Sequence, residues 1–237
     1  MADYSIWVLE YCWVLNAPAG LITHGAFNGG TVKLPWCYVL IKGQGNVALV
    51  DVGYNHKDYG AVMAESFGVE NWRPSATVLA ECGVKPADVS HVLITHAYFD
   101  HMGATDDFPN ATFYLQEREL SKWVWAMSLG RRFRWLMGAT DPGDILRAVD
   151  LARQGGLVCL DGDREDVLPG IDIRLLTPIH GARCSSMFDS MASSPAETLI
   201  SLRAISSIPT PIWKVRIRKT PNTYRSVSQA AAKQICC

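Results

Sequence analysis

The sequence carries little charge and almost no imbalance of it. Of its 237 residues 19% are charged and the formal net charge is −1, where an average soluble domain has about 25% charged residues. This balance removes any whole-protein electrostatic argument for nucleic acid or an anionic membrane as a partner. Basic residues are missing at the start, the first Lys or Arg being Lys33, so the positive segment that opens a secretory signal is not seen. A long apolar run is missing too. The longest early uncharged stretch, Tyr11 to Val32, contains Asn16, Pro18, His24, Asn28 and four glycines, whereas a bilayer-spanning helix needs about 20 mostly apolar residues. The seven cysteines (Cys12, Cys37, Cys82, Cys159, Cys184, Cys236 and Cys237) lie far apart except for the last pair. An odd count without C-x-x-C spacing argues against a disulfide framework and against a cysteine zinc site. A reducing, cytoplasmic location is the expectation.

What is present suits one large domain with a substantial core, since 49% of the residues are hydrophobic and the chain is long enough to bury them. Ser5 to Leu15 and Trp36 to Ile41, rich in β-branched and aromatic residues, predict strands. Asn46 to Val52 has the length and valine content of a buried strand that stops at Gly53. Lys57 to Phe67 and Thr77 to Cys82 predict helices, with Gly83 placed to end the second. A strand over His91 to Thr95 leads into a loop. Ala111 to Leu115, Gly155 to Leu160 and Ile171 to Leu176 predict further strands, and Gln116 to Met127 a helix with a tryptophan-rich face. This mixed order predicts sheets covered by helices, an αββα layering or another α/β fold.

From about Pro178 the composition changes. Between Pro178 and Cys237 the acidic residues are Asp189 and Glu197 alone, amid serine, proline and basic residues. Residues 1–177 are therefore expected to form the domain, and 178–237 an atypical, poorly folding tail. Within that tail Lys214 to Lys219 alternates like an exposed strand, and its charge reads as accidental rather than as a nucleic-acid patch.

The chemistry sits in the string Thr95-His96-Ala97-Tyr98-Phe99-Asp100-His101-Met102-Gly103. A loop leaving a strand can fold back so that the positions two, four and five after His96 converge with it. Imidazole nitrogen and carboxylate oxygen are donors that borderline divalent ions such as Zn²⁺ accept. Gly103 allows a tight turn beneath them. A divalent ion held there lowers the pKa of a water to about 7. Any one of these histidines taken alone reads as a satisfied surface residue with a capping aspartate nearby. The whole string after an apolar strand favours the metal.

The string resembles the T-H-x-H-x-D-H-x-G motif of the metallo-β-lactamase superfamily. Asp51-Val-Gly53 resembles the family's strand-end Asp-x-Gly, and Trp36 to Ile41 with Asn46 to Gly53 resembles its early hairpin. The spacing is most similar to the acyl-homoserine-lactonase-like branch, over roughly Ser5 to Leu176. The resemblance implies an αββα sandwich, incomplete in its C-terminal half. It implies a metal-dependent hydrolase of a cyclic ester or amide, with one or two zinc ions, or iron or manganese. By position, His96 would bind a first metal and Asp100 and His101 a second. Asp51 would orient a ligand imidazole, and Asp100 or Tyr98 would assist proton movement. The partner implied is a small-molecule substrate, neither nucleic acid nor membrane; oligomeric state is left open.

Two departures qualify that picture. Tyr98 stands where the motif has its second histidine, and a phenol that titrates near 10 is a poor zinc donor. A single or asymmetric metal site is expected first, with a tyrosinate ligand or a phenol that donates to substrate as alternatives. The family also supplies a later histidine, a bridging aspartate and a last histidine; His180 is the candidate for the first of these, and no histidine follows it. A set of codons can be written for Arg203 to Trp213 that encodes a Gly-Asp strand of the family's kind in another frame. A shifted reading frame after Leu176 is therefore expected, and the coding nucleotide sequence decides it. The rival to an active hydrolase is a non-catalytic remnant of the fold that lacks the complete metal site.

Overall fold

The computed structural model describes residues 4–22, 28–176 and 197–202. A long strand, β1 (Tyr4–Pro18), runs into a single turn of helix, α1 (Ala19–Ile22), and pairs antiparallel with β2 (Thr31–Gly43). β3 (Asn46–Val50) completes the hairpin through the Gln44-Gly45 turn, where both residues have positive φ. Next come α2 (Asp58–Phe67), the two-residue β4 (Val69–Glu70) and α3 (Ser75–Ala80). β5 (His91–Leu93) then enters parallel to β3. α4 (Phe99–Met102), β6 (Thr112–Gln116), α5 (Glu117–Met127), α6 (Pro142–Arg153) and β7 (Leu157–Leu160) follow. β6 and β7 extend the parallel part of the sheet. β8 (Arg164–Leu168), β9 (Ile171–Leu176) and β10 (Glu197–Leu202) make a separate antiparallel sheet.

The larger sheet has the order β4-β1-β2-β3-β5-β6-β7 and the smaller β10-β9-β8. One apolar cluster lies between them: Tyr4, Ile41, Ala48, Val50, Leu93 and Leu160 from the large sheet meet Leu168, Ile171 and Ile173 from the small one. The opposite face of the large sheet, with Leu40, Leu49, Val92 and Phe113, packs on Val78 and Leu79 of α3, Trp123 and Ala126 of α5, and Ile145 and Ala148 of α6. Among the described residues the layering is thus helix, sheet, sheet. Alternation along β3 and β5 sends successive side chains into the two clusters, so that past Asn46 and His91 both strands are apolar.

Six elements lie outside the sequence expectation: the short α1, β4 and α4, the last holding Asp100 and His101 on a turn of helix where a loop was expected, and α6, β8 and β10. α6 has an aspartate, Asp141, whose carboxylate accepts from the Gly143 N–H at 2.7 Å, with Pro142 at its first position, a start signal that was there to be read. β8 opens on Arg164, Glu165 and Asp166, all exposed. β10 falls inside the 178–237 stretch; the rest of that stretch, His180, Asp189 and the frame-shift expectation included, lies outside the described residues.

What matters for function is the C-terminal edge of the parallel strands, where ligand sites gather in open α/β sheets. The segment after β3 and the segment after β5 are stitched together there. The Asp51 N–H donates to the Leu93 carbonyl, the Val52 N–H to the His101 carbonyl and the Ala104 N–H to the Gly53 carbonyl. A bridge between Tyr54 and Gly103 closes the seam.

Candidate metal centre

Asp51 is the pivot. It is buried and adopts φ 61°, a left-handed conformation uncommon outside glycine and found at sites where the surroundings over-determine the backbone. Its carboxylate gathers three groups. Oδ1 accepts from the Thr95 N–H at 2.8 Å, and the Thr95 hydroxyl lies 3.0 Å from Oδ1 and 2.8 Å from Oδ2. Oδ2 lies 2.8 Å from His101 Nδ1. An ionised carboxylate only accepts, so His101 carries its proton on Nδ1 and turns the lone pair of Nε2 outward. Nε2 then faces Asp100 Oδ2 at 3.4 Å.

That spacing is the test of whether a metal fits. Two donors on adjacent corners of a tetrahedron around zinc, each about 2.0–2.1 Å from the ion, are about 3.3–3.4 Å apart. The Asp100–His101 pair matches. His96 is beside them, its ring centroid 3.9 Å from that of His101, with Nδ1 3.0 Å from the Thr95 hydroxyl. Burial, then the neighbouring His101, depresses the His96 pKa well below the ordinary imidazole range, so the ring stays neutral with a lone pair to give. Burial raises the Asp100 carboxyl, the nearby Asp51 charge adds to that, and His101 opposes it. Among the described residues no three His, Cys, Asp or Glu side chains close into a complete cage. The structure therefore brings His96, Asp100 and His101 together, with two of them as a matched donor edge. His180 lies outside the described residues.

Tyr98 packs edge-on against His96 with ring centroids 4.6 Å apart and against Trp123 at 6.1 Å. Its ring thus stands between His96 and the core face of α5. Trp123 and Met137 are core residues, while Trp125 and Trp135 are exposed, as are Arg131, Arg132 and Arg134. Trp125, Trp135 and the three arginines thus form surface beside the buried Trp123 and Met137. His56 lies tilted against Trp72 with ring centroids 5.4 Å apart, and His91 pairs with the Ser90 hydroxyl at 2.9 Å.

Two residues that hold the loop escape a reading of the motif alone. The Tyr11 phenol donates to the Asp100 carbonyl at 2.8 Å. Burial raises its pKa well above the ordinary phenol range, so it stays a donor. Glu119 is fully buried on α5, and its Oε1 accepts from the Ala97 N–H at 2.9 Å and the Trp123 indole N–H at 2.8 Å. The available signal was the spacing: Glu119 lies one turn before Trp123, so a core-facing tryptophan puts the carboxylate on the core face as well.

Comparison with known proteins identifies the family. The profile of the Metallo-beta-lactamase superfamily matches residues 30–187. A "probable metallo-hydrolase" of Mycobacterium tuberculosis is 27% identical over 123 residues, 48% of this chain and 39% of that protein. An N-acyl homoserine lactonase of Bacillus cereus is 30% identical over 101 residues, 38% of this chain and 40% of the lactonase. The matches thus span about two fifths of the length of these curated relatives. A crystal structure of a quorum-quenching N-acyl homoserine lactone lactonase superposes with a TM-score of 0.59 at 18% identity, over 85% of this chain and 69% of that one; at that identity the likeness speaks for the fold. With the motif at the edge of the parallel strands, the Asp51–His101 pair beneath it and a profile match across two thirds of its length, the chain belongs to the metallo-beta-lactamase superfamily.

Proposed function

We propose that this protein is a metal-dependent hydrolase of a cyclic ester, with an N-acyl homoserine lactone as the substrate class. The observation that carries the reading is the donor edge of His101 Nε2 and Asp100 Oδ2, set by Asp51. The lactone class rests on the Bacillus relative. Asp100, His101 and His96 would hold the metal, with zinc favoured by the imidazole and carboxylate donors. A bound divalent ion supplies Lewis acidity to a carbonyl oxygen and makes water acidic enough to ionise near neutrality. The chain's own residues do the rest. Asp51 fixes the tautomer of His101. Tyr98 offers a phenol beside the donors, suited to donate a hydrogen bond to substrate. The Asp100 carboxylate would accept a proton and release it to the leaving alkoxide.

The second reading, a remnant of the fold that binds no metal, draws on Tyr98 in the histidine position and on the incomplete cage among the described residues. Metal analysis separates the two. The hydrolase reading expects stoichiometric zinc, iron or manganese in the purified protein, lost in His101→Ala, and ring opening across a panel of acyl homoserine lactones. Absence of metal from both proteins would establish the remnant.

A further inference from the structure

The geometry points to Glu119 as the residue that positions the metal-binding loop, by clamping its backbone and one of its aromatic neighbours with a single carboxylate oxygen. This rests on the proposed metal-binding reading. Oε1 accepts at once from the Ala97 N–H, 2.9 Å away, and from the Trp123 indole, 2.8 Å away. Ala97 separates His96 from Tyr98, and Trp123 packs on the Tyr98 ring. One atom therefore fixes both the peptide between the two motif side chains and the ring wall behind the second.

The chemistry of the position supports a dedicated role. Glu119 has no exposed surface, and a buried carboxylate is costly unless it takes hydrogen bonds. Ala97 lies in the extended stretch before α4, whose capping residue Tyr98 has φ −81° and ψ 154°. Its N–H, being outside the helix, finds its partner in α5. The clamp also has a counterpart on the far side of the motif, where Tyr11 holds the Asp100 carbonyl and Asp51 holds Thr95 and His101. The loop is thus tied at Thr95, Ala97, Asp100 and His101. Among these ties the one at Ala97 comes from the helix that follows β6. Removing it frees His96 and Tyr98 while leaving the Asp100–His101 edge tied.

Three variants test this: Glu119→Gln, which keeps an oxygen acceptor; Glu119→Ala, which removes it; and Ile173→Ala, which opens a cavity between the two sheets far from the loop. Zinc affinity is measured by competition with a chromogenic chelator well below the melting temperature. Amide and indole N–H signals of Ala97 and Trp123 are followed in the metal-free protein. The expected result is that Glu119→Ala weakens zinc by about tenfold or more, accelerates exchange of the Ala97 amide and shifts the Trp123 indole signal, whereas Glu119→Gln stays within about threefold. Ile173→Ala lowers the melting temperature with zinc affinity unchanged. Where Glu119→Ala does not fold, Glu119→Asp, one methylene too short to reach both donors, is expected to show the same loss. Wild-type affinity in Glu119→Ala, or an equal loss in Ile173→Ala or Glu119→Gln, overturns the clamp. If the wild-type protein takes up no zinc, the metal reading fails by itself, and unchanged Ala97 and Trp123 signals in Glu119→Ala then overturn the clamp separately.

Discussion

Asp51 and His101, fifty residues apart in sequence, meet at 2.8 Å in a buried contact, and the second face of the same imidazole looks at Asp100. One carboxylate therefore decides which nitrogen of His101 is available. Replacing Asp51 with alanine releases that choice and also strips Thr95 of its acceptor. Zinc affinity is expected to fall by about 10- to 100-fold, as read by chelator competition. Asp51→Asn, which tolerates the left-handed backbone, separates strain from chemistry: it should fold nearly as well as wild type and still bind zinc more weakly. Unchanged affinity in both would mean that His101 is oriented by something else.

Tyr98 gives a prediction with two arms. Tyr98→His installs the imidazole that the family's motif has there, so metal per chain or affinity should rise, by about tenfold in affinity for one added nitrogen donor. Tyr98→Phe keeps the ring against His96 and Trp123 but removes the hydroxyl. If the phenol donates to substrate, metal content stays and lactone hydrolysis drops by about 10- to 100-fold. A Tyr98→Phe protein that hydrolyses lactones at the wild-type rate would exclude the phenol from the reaction.

The parts of this architecture that were legible in the sequence are those with local causes. Asn46 to Val52 read as a buried strand because both of its faces are covered, and His91 to Thr95 for the same reason. The motif was legible because its donors are close in sequence and share one loop. What escaped was set by distant contacts. β8 is spelled by charged residues, and it is a strand because Ile171 and Ile173 of its partner β9 face the large sheet. α6 carried a start signal at Asp141-Pro142, but the Pro142 and Gly143 that open it are also turn formers, so the local pattern was ambiguous. The role of Glu119 depends on a peptide 22 residues earlier, and no local pattern encodes that bond.

Asp144, whose carboxylate lies beside Gly103 at the end of the motif, provides a pH test. Burial, then the charges of Asp141 and Asp106, raises its carboxyl to about 7, and its Oδ2 is buried with no hydrogen-bond partner among the described residues. A carboxyl raised on folding favours the folded state fully below its unfolded value, about 3.9. That contribution is lost as pH rises through about 7. Asp144→Asn removes the titration. Its stability should differ little from wild type near pH 4 apart from a constant offset, and should gain on wild type by about 1–3 kcal/mol between pH 4 and pH 8. Urea unfolding at pH 4, 6 and 8 measures the difference, and parallel curves would show that the group titrates normally.

Gly53 joins the fold to the site most directly. Its φ is 72°, a conformation that side-chain-bearing residues rarely take, and a Cβ there would meet the Tyr11 ring at 3.1 Å. The ring cannot retreat freely, since it is buried and its hydroxyl holds the Asp100 carbonyl. Gly53→Ala therefore costs stability twice, through the backbone and through the displaced ring, by about 1–3 kcal/mol in total. The two effects separate in a double-mutant cycle with Tyr11→Phe, which loses the bond to Asp100 but keeps the ring. If the alanine acts by pushing the phenol off the carbonyl, the two changes share one loss and the double variant is more stable than the sum of the singles predicts. Strict additivity would place the whole effect of Gly53→Ala in the backbone and leave Tyr11 unmoved.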